Sequence, residues 1–258
     1  MCKISNLCFE KGIFPTQCKL PKVIPVFKSG SKDSFNNYRP ISLLTCFSKI
    51  LEKCINIRLL AFLKRNQVFY DKQFGLRENY STVHAVTDFL INLNEAIEHK
   101  EIMIGLFLDL RKAFDSIDHE ILFKKLYYYG IRGLPLMLFK SYMNERYQYT
   151  IFNSEQSEIL PITCGVPQGS ILGPILFLIY VNDFKCSSNL LQFIMFADDT
   201  SAFCKHKSLE CLEKIMNLEL IKVHNWFLSN KLALNTKKTH FMIFGTNADS
   251  VVKIKIND

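Results

Sequence analysis

Two almost wholly apolar runs in this chain each end on aspartate, and few folds can accommodate that arrangement twice. The first is Ile102-Met103-Ile104-Gly105-Leu106-Phe107-Leu108, followed by Asp109 and Leu110. The second contains Leu190, Leu191, Phe193, Ile194, Met195 and Phe196, followed by Ala197-Asp198-Asp199-Thr200. A strand apolar on both faces reads as a central core strand, so Asp109 should stand where that strand emerges. The second run is bounded by turn-type residues and returns through Ser201, Ala202 and Phe203, which predicts a hairpin with carboxylates at its tip.

Adjacent carboxylates repel, and half-buried ones are unfavourable unless something positive neutralises them. A lone Asp198-Asp199 pair also serves as a plain polar turn. If the two strands pair, however, Asp109, Asp198 and Asp199 converge on one point. Such a cluster suits two hard divalent cations, magnesium above all, and in-line phosphoryl transfer.

Between the two runs lies Gly165-Val166-Pro167-Gln168-Gly169-Ser170-Ile171-Leu172-Gly173-Pro174, whose glycines and prolines predict a shaped loop. Ser170 is a candidate N-cap for an apolar helix from Ile171 to Val181. Small residues there let a ligand approach the backbone closely. Other helices follow from periodicity. Val83, Val86, Leu90, Leu93 and Ile97 predict a core-facing stripe on a helix starting near Ser81 or Thr82. Asp118 should cap a helix through Ile121, Leu122 and Leu126 that closes at Gly130, and Pro135 suits the first turn of the next. Leu209, Leu212, Met216, Leu220, Val223 and Phe227 mark another after Ser208. Strands alternating with helices give an α+β fold.

The three segments together resemble the reverse transcriptases of non-LTR, LINE-type retrotransposons, with the jockey-like branch most similar. Residues 107–115, 165–174 and 196–199 carry the resemblance. It extends to Val23-Ile24-Pro25-Val26-Phe27-Lys28, to Asn37-Tyr38-Arg39-Pro40-Ile41-Ser42-Leu43-Leu44, and to Leu232-Ala233-Leu234-Asn235-Thr236-Lys237-Lys238-Thr239. What it implies is a right-hand polymerase with an antiparallel palm sheet packed with helices: a fingers-type region over 1–100, a palm with the metal site over 101–258, and a thumb largely missing. The implied activity is RNA-directed DNA polymerisation by two-metal nucleotidyl transfer. An inactive nucleic-acid-binding relic and an intron-maturase-type reverse transcriptase are the alternatives.

By this resemblance Asp109 and Asp198 bridge two Mg2+ ions, with Mn2+ as a substitute. Asp199 completes the carboxylate set, and the Leu110 carbonyl adds a ligand. Phe114 stands where the family carries an aromatic beneath the nucleotide sugar, though a plain core role also suits it. Gln168 and Gly169 would lie near the incoming nucleotide. Asp115 reads as a structural carboxylate. Arg39 could clamp phosphate oxygens bidentately, and Lys28 or Lys32 could add a point charge or be merely solvated. Lys238 matches the family's candidate general acid for pyrophosphate, with Lys237 its rival.

An excess of eight positive charges agrees with binding a phosphate backbone without requiring it. Nine cysteines without a CxxC pair or a Cys/His cluster predict reduced thiols, an intracellular protein and no structural zinc. The longest apolar run is too short to span a bilayer, and no secretory signal is visible. Expected partners are an RNA template, a DNA primer, deoxynucleoside triphosphates and the remainder of a parent retrotransposon protein, including an endonuclease; no membrane is expected. The resemblance implies action in the nucleus.

Overall fold

The computed structural model describes residues 2–245 and 252–255. In chain order the regular elements are helix α1 (Cys2–Lys11), strands β1 (Lys22–Phe27) and β2 (Tyr38–Leu43), helices α2 (Cys46–Arg65) and α3 (Thr82–Glu98), strand β3 (Ile102–Leu108) and helices α4 (His119–Tyr128) and α5 (Leu134–Met143). Strands β4 (Tyr147–Phe152), β5 (Glu155–Gln156) and β6 (Leu160–Pro161), helix α6 (Leu172–Val181), strands β7 (Gln192–Phe196) and β8 (Asp199–His206), helix α7 (Leu209–Ser229) and strand β9 (His240–Phe244) complete the series. By internal contacts they form two compact units, each assembled from two stretches of chain: Met1–Val68 with Phe114–Tyr180, and Phe69–Ala113 with Val181–Asp258.

The first unit is built on a sheet ordered β2-β1-β4-β5, with β6 also paired to β4. Strands β1 and β2 form an antiparallel ladder from Lys22↔Leu43 to Phe27↔Tyr38, and β4 joins β1 in parallel. Helix α6 is apolar all round, as a helix buried on every side must be, and Leu172 and Ile175 through Tyr180 are buried. The expected cap holds: Ser170 Oγ accepts from the Gly173 amide at 2.8 Å. Asp118 likewise caps α4 by accepting from the Ile121 amide at 3.0 Å, and the chain leaves that helix through Gly130 in the left-handed region (φ 93°). Pro135 sits in the first turn of α5, where its missing N–H costs nothing.

The second unit carries a four-stranded antiparallel sheet ordered β7-β8-β3-β9. The two apolar runs are therefore neighbours once removed: β3 pairs with β8, the return strand of the hairpin, and β7 lies outside it. Strand β3 is central and apolar on both faces, as expected, with Met103, Ile104, Leu106 and Leu108 buried. Helix α7, whose N-cap Ser208 accepts from the Cys211 amide, packs Leu212, Met216, Leu220, Val223 and Phe227 inward. Phe184 links this face to the sheet, its ring 4.8 Å from both Phe193 and Trp226.

Helix α3 corrects a sequence expectation. It starts after Ser81 as predicted, but Val83, Val86, Leu90 and Ile97 are exposed. The side that meets the core cluster of Phe74, Ala96, Met103, Ile194 and Phe203 carries Ala85, Phe89 and Leu93. Phe89 decides the orientation, because its ring packs against Phe107, Phe203 and Phe244 at centroid distances of 5.6–5.8 Å. Burying such a ring contributes about 1.5–3 kcal/mol, more than any one aliphatic side chain of the competing stripe is worth when half-exposed.

All nine cysteines are free. Among the described residues no helix is long and apolar enough to cross a membrane.

Candidate active site

The second unit gathers the carboxylates. Strand β3 delivers Asp109 directly after Leu108, and β8 begins at Asp199. Their ladder runs to Leu108↔Thr200, so Asp109 and Asp199 stand one step beyond its last pair. Phe196 pairs with Asp199, which leaves Ala197 and Asp198 as a two-residue hairpin turn. Ala197 has a φ of 57°, in the left-handed region that favours glycine, while Asp198 does not lie at positive φ. An alanine there costs on the order of 1 kcal/mol, so the surroundings must hold the turn.

The Asp199 carboxyl is pushed above the ordinary carboxylate range. Partial burial is the largest cause, even though the residue as a whole is exposed; the charges of Asp198 and then Asp109 add to it, and Lys238 opposes them. The three aspartates are thus close enough to repel one another. Among the described residues no trio of His, Cys, Asp or Glu is arranged as a ready metal cage. The set is open and mutually repelling, composed of hard oxygen donors, and its chemistry fits magnesium.

Asn235 holds Asp109 in place. Its Nδ2 donates to Asp109 Oδ2 at 2.8 Å, and its backbone amide donates to the Asp109 carbonyl at 2.8 Å. Leu110 bridges to Leu234, and the Arg111 amide donates to the Ala233 carbonyl. Thr239 Oγ1 receives the Asp109 amide at 3.5 Å and donates to the Asn235 carbonyl. The Lys238 and Thr239 amides close a turn on that carbonyl, so residues 235–239 form a cradle around Asp109. Both Lys237 and Lys238 are exposed, but it is Lys238 whose charge bears on Asp199. Asn235 lay within a motif legible in the sequence; its contact with Asp109 was not, because the two are 126 positions apart.

The first unit carries the remaining predicted residues. Phe114 is half-buried with its ring 4.7 Å from that of Phe177, and its carbonyl accepts from the Val166 amide. Asp115 Oδ1 accepts from Gln168 Nε2 at 2.9 Å, which makes Asp115 a tether for the glycine-rich loop. Gly165 is required there: its φ is 78°, and a Cβ would stand 2.7 Å from the Asp115 carbonyl oxygen. Gly169 (φ 107°) would bring a Cβ to 2.9 Å from the Ser42 carbonyl oxygen, while the Ser42 amide donates to the Gln168 carbonyl. Arg39 is exposed on β2, and Lys28 and Lys32 are exposed on the connection between β1 and β2.

Glu52 is a further anchor. It is fully buried and accepts from the Ile171 amide at 2.7 Å and the Leu172 amide at 3.4 Å, fixing the junction of the loop with α6. Burial raises its proton affinity, against the hydrogen bonds from Ile171 and Ser48 and the charge of Arg146. The signal was a lone Glu among the apolar positions Leu51, Ile55 and Leu59 of α2.

The family model for reverse transcriptase (RNA-dependent DNA polymerase) matches residues 28–255. The RNA-directed DNA polymerase from mobile element jockey of Drosophila melanogaster is 30% identical, over 98% of this chain and 28% of its own length. A probable RNA-directed DNA polymerase from transposon BS of the same species is 34% identical, over 71% of this chain and 20% of its own length. The chain therefore spans less than a third of these relatives. Among solved structures, apo telomerase from Candida tropicalis truncated from its C-terminal domain superposes with a TM-score of 0.64 over 95% of this chain and 55% of that chain, at 11% identity, which shows a shared right-hand polymerase fold. With a family match over most of its length, this chain belongs to the reverse transcriptase family, as a domain similar to the RNA-directed DNA polymerases of non-LTR retrotransposons.

Proposed function

We propose that the chain extends a DNA 3′-hydroxyl on an RNA template, using deoxynucleoside triphosphates, at the carboxylate set of the second unit. The observation that carries this reading is the convergence of Asp109 with Asp198 and Asp199 at the ends of paired strands, close enough that, beside burial, the charges of Asp198 and Asp109 raise the proton affinity of Asp199. Asp109, Asp198 and Asp199, with the Leu110 carbonyl, would hold two magnesium ions, or manganese in their place. When bound, these ions supply activation of the primer hydroxyl and neutralisation of the triphosphate and the departing pyrophosphate.

The chain's own residues do the positioning. Asn235 orients Asp109 through the 2.8 Å hydrogen bond. Lys238 offers a proton from Nζ to the leaving pyrophosphate. Arg39, with Lys28, grips phosphate oxygens; Phe114 excludes a ribose 2′-hydroxyl; and Gln168 and Gly169 line the path of the nucleotide and template base. Residues 1–100 serve as the fingers-type region and 101–258 as the palm, a functional division that the two contact units do not follow. The protein acts inside the cell, at nuclear DNA, as part of a longer retrotransposon protein.

The test supplies an RNA template annealed to a DNA primer at low salt, with magnesium and all four deoxynucleotides. A product ladder complementary to the RNA supports the proposal. Extension on DNA templates but not on RNA would overturn the template assignment.

A further inference from the structure

Residues 72–75 lie along the outer edge of β7, where among the described residues no strand of the sheet pairs. Gln73 bridges to Met195 in parallel, the Met195 amide donates to the Lys72 carbonyl at 2.9 Å, and the Phe74 amide donates to the Met195 carbonyl at 2.7 Å. The Gln73 side chain is 3% exposed, and its Oε1 accepts from two amides, Gly75 at 3.0 Å and Ala197 at 3.1 Å. Gly75 completes the fit: a Cβ there would stand 2.0 Å from the Ala197 nitrogen and 2.5 Å from the Phe196 carbonyl carbon, both backbone atoms that cannot swing aside.

The same segment is fastened at both ends. Arg77 Nη1 donates to the Tyr70 and Gln73 carbonyls, and the guanidinium lies over the Tyr80 ring at 4.4 Å. Tyr70 reaches the sheet through its hydroxyl, which donates to the Phe193 carbonyl, and its amide donates to Asn182 Oδ1. Lys72 pairs with Asp88 at 3.0 Å. A rigid clasp therefore delivers one buried acceptor to the amide of Ala197, the residue at positive φ that precedes Asp198 and Asp199.

We infer that Gln73 is a positioning residue for the carboxylate hairpin, and that with Gly75 it sets the direction in which Asp198 and Asp199 face a divalent cation. This rests on the proposed metal role of those aspartates. The clasp substitutes for the glycine that a turn residue at positive φ would ordinarily be: the turn is held from outside rather than permitted from within. A fixed turn presents both carboxylates without reorganisation when the cation arrives.

The test combines amide hydrogen exchange, resolved to the 195–199 segment, with Mn2+ titration followed by the paramagnetic resonance of the free ion. The proteins are the unaltered chain, Gln73→Met, Gln73→Glu, Gly75→Ala and Asp198→Asn. Gln73→Met, which keeps the volume and loses the acceptor, is expected to speed exchange at Ala197 roughly tenfold and weaken Mn2+ binding by a similar factor, with β3 amides still protected. Gly75→Ala should do the same, whereas Gln73→Glu, which keeps the acceptor oxygen, should leave the turn protected. Unchanged exchange and Mn2+ affinity in Gln73→Met would overturn the inference, as would loss of protection throughout the sheet, which would make Gln73 a packing residue only. If Asp198→Asn binds Mn2+ as well as the unaltered chain, the metal role fails by itself, and the exchange data still decide whether Gln73 holds the turn.

Discussion

Asp199, a member of the proposed metal-binding set, carries an electrostatic cost in the folded protein. Its folded proton affinity is raised, so the folded state binds the proton more tightly than the unfolded state does. Its contribution to stability is therefore best below the unfolded value and falls as pH rises through the raised folded value. At neutral pH without a cation it is a net cost. Asp199→Asn should stabilise the chelator-treated protein at pH 7 by less than about 1 kcal/mol, after allowance for solvent screening, with the gain vanishing below about pH 4. Chemical denaturation at the two pH values checks this. Asn235→Ala should have the opposite sign, costing about 1–2 kcal/mol because it removes a hydrogen bond to a carboxylate, and it should also raise the magnesium needed for half-maximal extension. Replacing Phe114 by Val is expected to raise ribonucleotide incorporation roughly tenfold or more relative to deoxynucleotides, measured as a ratio of kcat/KM values. The aspartates were legible because carboxylates at the ends of apolar runs are conspicuous. The contacts of Asn235 and Gln73 were not, since Asn235 meets Asp109 across 126 positions and Gln73 meets Ala197 across 124.

Among the elements, those with chemical punctuation were read well, as were the central strand β3 and the inward stripe of α7, whereas the side of α3 that meets the core was not. Ser81, Asp118, Pro135, Ser170 and Ser208 mark helix starts in the sequence because capping is local chemistry, and each lies at the start of its helix in the fold. Helix α3 carries apolar residues on two sides, and periodicity alone cannot choose between them; the choice fell to Phe89 and its three aromatic neighbours. The glycine-rich loop was recognisable, but its supports were distant: Asp115, Ser42 and Glu52 come from three separate stretches. Gly165→Ala should cost on the order of 2 kcal/mol, since it adds a Cβ at positive φ against backbone, and thermal unfolding would show it.

For the molecule as a whole, the α+β architecture and the family were legible from motifs spread over nearly the full chain, whereas the division into two contact units, each made of two separated stretches, was not. Sequence patterns report local order, and nothing local marks the points at which a chain leaves one unit and later returns to it. The excess of positive charge places electrostatics at this scale too. Affinity for an RNA–DNA hybrid should fall as salt rises, and Arg39→Ala should reduce the slope of log affinity against log salt by about 1. The most direct test of the central claim is a magnesium titration of DNA-primer extension on an RNA template, comparing the unaltered chain with Asp198→Asn. Magnesium-dependent extension by the unaltered chain and none by the variant is the predicted result. Equal extension by both proteins would contradict the metal role given to the carboxylates.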